Sequence, residues 1–431
     1  MTGGRSWRPG VRRRGDGGRG CRGFTIVELM VSLVVAAVAL IGIYYYYATT
    51  QQAMREQGRI SQAQLDARLG IELVSADLQR AGYLATPNSD RDPLVCRPEG
   101  MTPLRIHPIV FRNGGTDGKV FARDGTAPSV AVPQAAANVN VSPDDVILYG
   151  NYLNANEYLA ETINAAGSTV RLQPLLVYQE PGMADGGAAV PATLTDAEFA
   201  QLFPTTAFLR IVNRHGFAQF TRITAVSGFA ARTLTVSPAP IQFSPATACG
   251  VEGFCEGCRV NVVNGVWYRI EQRAGSDDPA TPENETEVTD LVRYMVDQNR
   301  LPIPATRETV VQYAVDFQVW FRAAAPGAGG SATFDIDLSP DVPDDGTVVI
   351  GGAVNPPDGT LTARPEAIRS AIVRLTVRTR IEDPKFPFQP RPDRRQRIKA
   401  WEIHPGAEGS AHVRTYTTEV QLPNIAFANL W

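Results

Sequence analysis

Histidine and cysteine are scarce in this chain, at four and five of 431 residues. The histidines His107, His215, His404 and His412 are scattered, and Cys255-Glu256-Gly257-Cys258 is the one CxxC. A zinc site built from two such pairs is excluded, and a thioredoxin-like redox role would need a βαβ context that is missing. Also absent are GxSxG, Walker A and HExxH patterns, a compact acid/base pair, EF-hand spacing and any internal repeat. Asp277-Asp278 and Asp344-Asp345 fall in Pro/Gly loops and read as solvated turn residues rather than calcium ligands. No enzymatic activity, metal or cofactor is expected.

The 44% hydrophobic and 20% charged content excludes a disordered or collagen-like chain, so a core must be buried. The net charge of −3 conceals an uneven distribution. Residues 1–23 carry seven arginines against Asp16 alone, a net of +6, while the other 408 residues hold 34 bases and 43 acids, a net of −9. A basic nucleic-acid footprint over the folded part is thereby excluded, and the basic head reads as a membrane-orienting segment. Arg391, Arg394, Arg395, Arg397 and Lys399 form a basic loop on this acidic body and read as solvated.

Charge is missing altogether over the 19 residues from Leu29 to Tyr47. As a helix this run approaches the ~30 Å of a bilayer core, with the arginines holding its start in the cytoplasm and Tyr44 to Tyr47 in the aromatic belt. A cleaved secretory signal has a shorter apolar region and a small-residue exit, whereas this run leads into Thr49-Thr50-Gln51-Gln52. Glu28 lies at the head of the apolar segment, where a carboxylate costs ~2–3 kcal/mol unless it finds a partner or snorkels to the headgroups.

The sequence Gly23-Phe24-Thr25-Ile26-Val27-Glu28-Leu29 closely resembles the processing site of type IV prepilins and type II secretion pseudopilins. That resemblance implies a prepilin peptidase cutting between Gly23 and Phe24 and methylating the new amine of Phe24. It also implies that Glu28 meets the Phe24 amine of a neighbouring subunit during assembly, where water competes poorly.

Beyond the membrane, Ala67, Ile71, Val74, Leu78 and Ala81 form an apolar stripe at helical spacing, widened by Leu65, Leu69 and Leu73. Arg55, Glu56, Arg59, Asp66, Arg68, Asp77 and Arg80 are expected on the wet face. No proline interrupts residues 24–82, and Gly82 followed by Pro87 is a stop signal. The expected organisation is a leader at 1–23, a long helix at 24–82 with its transmembrane half at 24–47, and an extracytoplasmic β-rich domain at 83–431. The stripe should pack against that domain in the pilin lollipop arrangement. A free coiled coil fits less well, given the irregular stripe with Gly58 and Gly70.

After Pro87, short β-type runs alternate with Gly, Pro, Asn and Asp, as in Val146–Tyr152, Val260–Gln272, Val310–Phe321 and Ile368–Arg380. One short helix is expected at Thr195–Phe203, capped by Thr195. Linker-like stretches lie at Pro181–Pro191, Gly275–Glu287, Ala323–Ser331, Pro340–Gly346 and Asn355–Pro365.

The segment Glu72-Leu73-Val74-Ser75-Ala76-Asp77-Leu78-Gln79-Arg80-Ala81-Gly82-Tyr83 resembles the helix exit of PilW-type minor pilins. Asp144–Leu148, Asp290–Tyr294, Val310–Val319 and Ile372–Thr379 follow in that family's order. The last strand departs from the family's Leu-Arg-Asn ending, with Leu422-Pro423-Asn424, and the chain is longer than a typical member. The resemblance implies an α+β, type IV pilin-like fold and a minor pilin that helps initiate pilus assembly. Its implied partners are other minor pilins, the major pilin, a PilY-type tip adhesin and the inner membrane, with residence at the pilus tip after assembly. Alternatives are a J-type pseudopilin of type II secretion and a membrane-tethered cell-envelope enzyme.

Cys21 would leave with the leader, so Cys96, Cys249, Cys255 and Cys258 remain for two disulfides outside the cytoplasm. Of the three possible pairings, spacing favours Cys249 with Cys255 or Cys258 in a small loop.

Overall fold

A computed structural model describes residues 24–426 except 88, 90–91, 97–103, 105, 113, 115–117, 134–135, 154–155, 175, 179–188, 192, 252–254, 256, 274–287, 325–332, 337–346, 351–367, 392–395 and 405–408. The architecture is α+β, a long N-terminal helix followed by a β-rich domain. Helix α1 runs unbroken from Ile26 to Arg80, and compact units divide at Gly58 and Arg59.

In chain order the strands are β1 (Ile109–Arg112), β2 (Lys119–Phe121), β3 (Pro128–Ala131), β4 (Asp145–Gly150), β5 (Tyr158–Ile163), β6 (Thr169–Leu172), β7 (Leu176–Tyr178) and β8 (Ala189–Pro191). Helix α2 (Asp196–Leu202) precedes β9 (Phe208–Val212), β10 (Ala218–Val226), β11 (Thr233–Ser237), β12 (Arg259–Gln272), β13 (Thr289–Val296) and β14 (Glu308–Val311). The remainder is β15 (Ala314–Ala324), β16 (Thr333–Ile336), β17 (Thr347–Ile350), β18 (Ile368–Arg378), β19 (Ala400–Trp401), β20 (Ala411–Gln421) and a terminal turn of helix, α3 (Pro423–Ala426).

Strand β12 organises the domain. Its first half pairs with β5 on one side and β9 on the other, and the order β12-β5-β6-β11-β10-β9 returns to β12, closing a six-stranded antiparallel barrel. Its second half pairs with β4 and β13 in the central sheet. The closed ring leaves no edge among its own strands. Val260 and Val262 point into the barrel core with Leu209, Ile211 and Ile223, beneath Phe199 and Phe203 at α2. Val266, Tyr268 and Ile270 face a core shared with α1, while Val263 and Trp267 face a third cluster between barrel and central sheet. This explains why β12 is apolar on both faces, as the sequence has it.

The α1 stripe packs as expected through Ala67, Ile71, Val74, Leu78 and Ala81, against β4, β12, β15, β18 and β20. Burying Ile71, Val74 and Leu78 contributes about 2 kcal/mol each. Gly70 permits this approach, since a Cβ there would lie 2.0 Å from Val311 Cγ2. Gly82 ends the helix at φ +79° and donates its N–H to the Tyr149 carbonyl at 2.8 Å.

Two expectations about the helix are corrected. Leu65 and Leu69 are exposed rather than widening the stripe, because they lie beyond the arc that meets the sheet. Asp77 is buried, not on the wet face. Residues 70, 74, 77 and 81 fall on one helical face, so the carboxylate enters the core with the stripe. There it accepts from Tyr268 Oη at 2.6 Å and pairs with Arg293 Nε at 2.7 Å, while its backbone carbonyl accepts from Tyr152 Oη at 2.9 Å. Burial, followed by the nearby Asp77 charge, keeps the Tyr268 phenol protonated well above the ordinary tyrosine range.

The expected run Val310–Phe321 divides into β14 and β15 at Tyr313, whose φ of +57° breaks the strand and whose N–H donates to Asp290 Oδ1 at 3.1 Å. Strands β6 and β7 are likewise separate, β6 ending at Leu172 and β7 beginning at Leu176. Helix α2 starts after Thr195, which forms a reciprocal capping box with Glu198. Of the linker-like stretches, 275–287, 340–346 and 355–365 lie outside the described residues, as do Asp277, Asp278, Asp344 and Asp345.

A second buried acid lies where β4 meets β15. Asp144 accepts from the N–H groups of Gly114 at 2.9 Å and Val319 at 2.8 Å. Burial raises its pKa well above the usual carboxylate range despite these donors, with Asp316 and Asp145 adding repulsion. Arg391, expected in a solvated loop, is buried beside them: it pairs with Asp316 at 3.5 Å and donates to the Asn140 and Gln396 carbonyls. Arg397 and Lys399 are exposed, and Arg394 and Arg395 lie outside the described residues.

Two stability predictions follow from these buried acids. Asp77→Asn should lower unfolding free energy by about 3 kcal/mol, because Arg293 loses its partner inside the interface. Denaturant unfolding of the detergent-solubilised full chain measures it, and Arg293→Met added to Asp77→Asn should cost much less than the two singles combined. Asp144 has a folded pKa raised above its unfolded value of about 3.9, so its contribution is present below that value and lost as pH rises toward the folded pKa. The stability of Asp144→Asn relative to wild type should therefore increase from about pH 4 upward, followed by urea midpoints across pH; a constant difference would contradict it.

Candidate functional site

The N-terminal end of α1 carries the processing residues. Gly23 lies outside the described residues; Phe24 is 83% exposed. The apolar side chains from Ile26 to Tyr47 are exposed along the helix, which is long and apolar enough to cross a membrane. In water such a surface would be costly; in hydrocarbon it is the favoured one.

Glu28 occupies the first turn, held by a reciprocal cap. The backbone N–H and Oγ1 of Thr25 both donate to Glu28 Oε2 at 3.1 Å, and the Glu28 N–H donates to Thr25 Oγ1 at 3.2 Å. These bonds satisfy donors that a helix start leaves open and place the negative charge at the positive end of the helix dipole. Both carboxylate contacts use Oε2; Oε1 takes part in neither. The pattern Thr-x-x-Glu ahead of an apolar run is a capping signal readable in the sequence.

The four cysteines form Cys96–Cys249 and Cys255–Cys258 disulfides, each with Cα atoms 5.5 Å apart. The small-loop pairing of Cys249 with Cys255 or Cys258 is therefore corrected. The segment before Cys96 runs along β10, with Ala218 donating to the Leu94 carbonyl and Cys96 donating to the Ala218 carbonyl, and this brings Cys96 beside Cys249 across 153 residues. Cys255 and Cys258 sit in the barrel core, where Cys258 N–H bonds back to the Cys255 carbonyl at 3.0 Å. The CxxC is thus a buried crosslink at the entry to β12. The histidines are not gathered: His412 stacks on Phe386 and meets Asp383 at 3.2 Å, and His404 meets Glu382 at 3.0 Å.

Residues 18–44 match the family model described as the prokaryotic N-terminal methylation motif. Over 62 residues the chain is 40% identical to the pilin-like protein PilA3 of Thermus thermophilus, a stretch covering 14% of this chain and 26% of that protein. The chain thus spans about a quarter of the length of that curated relative. No solved structure matches the chain significantly. The chain thus carries a prepilin-type methylation motif at the start of an apolar helix long enough to cross a membrane, and over part of its length it is similar to a pilin-like protein.

Thr25→Ala should remove half of the reciprocal cap and weaken the first turn by about 1 kcal/mol. Amide exchange of Val27 and Glu28 in detergent micelles should quicken roughly fivefold while residues beyond Ser32 are unchanged. Unaltered exchange at the first turn would show that Thr25 does not hold it.

Proposed function

We propose that this chain is a PilW-like minor pilin, a non-enzymatic subunit that helps initiate type IV pilus assembly and resides in or near a tip complex. The observation that carries the proposal is the junction of a basic leader, Gly23, Phe24 and Glu28 with an apolar helix, in the stretch that matches the methylation motif. The ordered series of PilW-like segments from Glu72 to Thr379 supports the finer assignment.

In this reading residues 1–23 orient insertion in the inner membrane and are removed by a prepilin peptidase. Residues 24–47 remain as the anchor, and 83–431 form a periplasmic domain that reaches the cell surface on assembly. Cleavage creates an amine at Phe24 that is methylated and stays cationic. Glu28 already holds Thr25 through Oε2, so Oε1 is the oxygen that accepts from the Phe24 amine of a neighbouring subunit. In a fibre core of low dielectric the pair fixes axial register as much as affinity. Other minor pilins, the major pilin and a PilY-type adhesin are the proposed neighbours.

Mass spectrometry of the mature protein should find an N-methylated Phe24 at its start. An intact Met1, or cleavage after residue 47, would sink the pilin reading. Glu28→Ala should leave processing intact and reduce incorporation into sheared pili at least about tenfold, the cost of an unpaired ammonium in the core. A deletion strain should lose pili and motility; one that keeps both and stops exporting exoenzymes would reassign the chain to the type II secretion pseudopilins.

A further inference from the structure

A cavity of about 710 Å³ opens along the seam between the six-stranded barrel and the central sheet. Its size falls in the range of small-molecule sites. The strand alternation of β9 and β10 builds one wall: Leu209, Ile211 and Ile223 point into the barrel, so Phe208 and Phe220 point out to the seam, and Arg222 follows Phe220 on that face. Arg222 stands in register with Phe208 on one neighbouring strand and Ser237 on the other, and all three line the cavity. Leu104, Ile106 and Pro238 supply further apolar surface.

The facing wall is the turn after β13. Asp297 Oδ1 accepts from the N–H groups of Asn299 and Leu301 at 2.8 Å, and the Arg300 N–H donates to the Asp297 carbonyl at 3.0 Å. Gln298 Nε2 reaches the carbonyls of Thr205, Ala207 and Ile223 within 2.9 Å, clamping the turn to the barrel. This presents Arg300 to the cavity beside the Tyr149 hydroxyl, whose pKa burial raises to about 12, so it remains a donor at neutral pH. The lining among the described residues therefore holds two guanidinium groups, the His107 imidazole, the amides of Gln298 and Asn299, a hydroxyl and a phenol, and no carboxylate; Asp297, the nearest on the turn, is engaged by its own backbone.

Arg222 and Arg300 are half-buried on the lining of one hollow that also offers apolar surface, and with no carboxylate among its described lining residues they favour an anionic ligand. We infer that this cavity is a binding site for a small carboxylate with an apolar body, the carboxylate held between Arg222 and Arg300 and the body against Phe208 and Pro238. The inference stands apart from the pilin reading, since none of its residues belongs to the helix or the processing site.

Calorimetric titration of the full-length protein in uncharged detergent micelles tests it, using N-acetylphenylalanine, its neutral amide, and inorganic phosphate. The acid should bind at least about tenfold more tightly than either comparator, because only it offers both charge and apolar body. Arg222→Gln and Arg300→Gln should each erase the preference for acid over amide while thermal melting is unchanged; the turn variant carries the test if the strand variant misfolds. Absence of saturable binding of the acid at about 1 mM, equal affinity for the amide, equal affinity for phosphate, or a preference that survives in the folded variants would overturn the assignment.

Discussion

The packing of residues 59–80 onto the sheet depends on a carboxylate inside an apolar contact. Asp77 sits among Val74, Leu78 and Ala81, and its oxygen is met by Tyr268 from β12 and Arg293 from β13. A purely apolar stripe tolerates sliding by a turn at little cost, because hydrophobic burial has no direction. A buried charge does not, since displacement leaves Asp77 and Arg293 desolvated and unpaired. The helix rotation is therefore keyed to one register of β12 against β13, the one pairing Tyr268 with Arg293. Gly70 under Val311 and Gly150 against the Arg80 carbonyl are the close approaches that this register requires.

Once that register is set, β12 carries the remainder of the domain. It contributes to the helix-facing core, the barrel core and the seam between them, so the barrel grows out of the central sheet by extending a strand rather than by adding a linker. Closure of the barrel and the Cys255–Cys258 crosslink where β12 begins limit fraying of the extension. Buried ionic groups recur along the same strand: Glu271 is engaged by Tyr294 and Arg307, and Arg269 lies over the rings of Phe121, Trp267 and Tyr294. A stack of three rings around one guanidinium replaces hydration that the interior removes.

Much of this was legible in residue patterns, and the failures have physical causes. Ala67, Ile71, Val74, Leu78 and Ala81 announced the buried face because a helix repeats every 3.6 residues. The same rule placed position 77 on that face, but charge was read as exposure, and only the partners Tyr268 and Arg293, 191 and 216 residues away, could say otherwise. Arg391 is a parallel case, since its partner Asp316 lies 75 residues away on β15. Capping of α2 was readable because Thr195 and Glu198 are three residues apart. The Cys96–Cys249 pairing was not, since it follows from the segment before Cys96 running along β10 rather than from spacing. The closed barrel was hidden too: strands were visible, but the return of β9 to β12 is a long-range pairing that local pattern does not encode.

Glu28 belongs to both descriptions. As the acid of a reciprocal cap it stabilises its own helix start, and as the acid of a prepilin-type motif it is the proposed partner of a neighbour's amine. The roles are compatible because they divide the carboxylate, Oε2 being used by Thr25 while Oε1 takes no part in the cap. Capping also limits the rotamers of Glu28 before any neighbour arrives, so less side-chain entropy remains to be lost on pairing. It keeps the negative charge over open backbone N–H groups in the meantime, which lowers the cost of holding an acid at the head of an apolar helix. A residue that looks destabilising when the helix is treated as an anchor alone is thus locally satisfied and preorganised for a second partner.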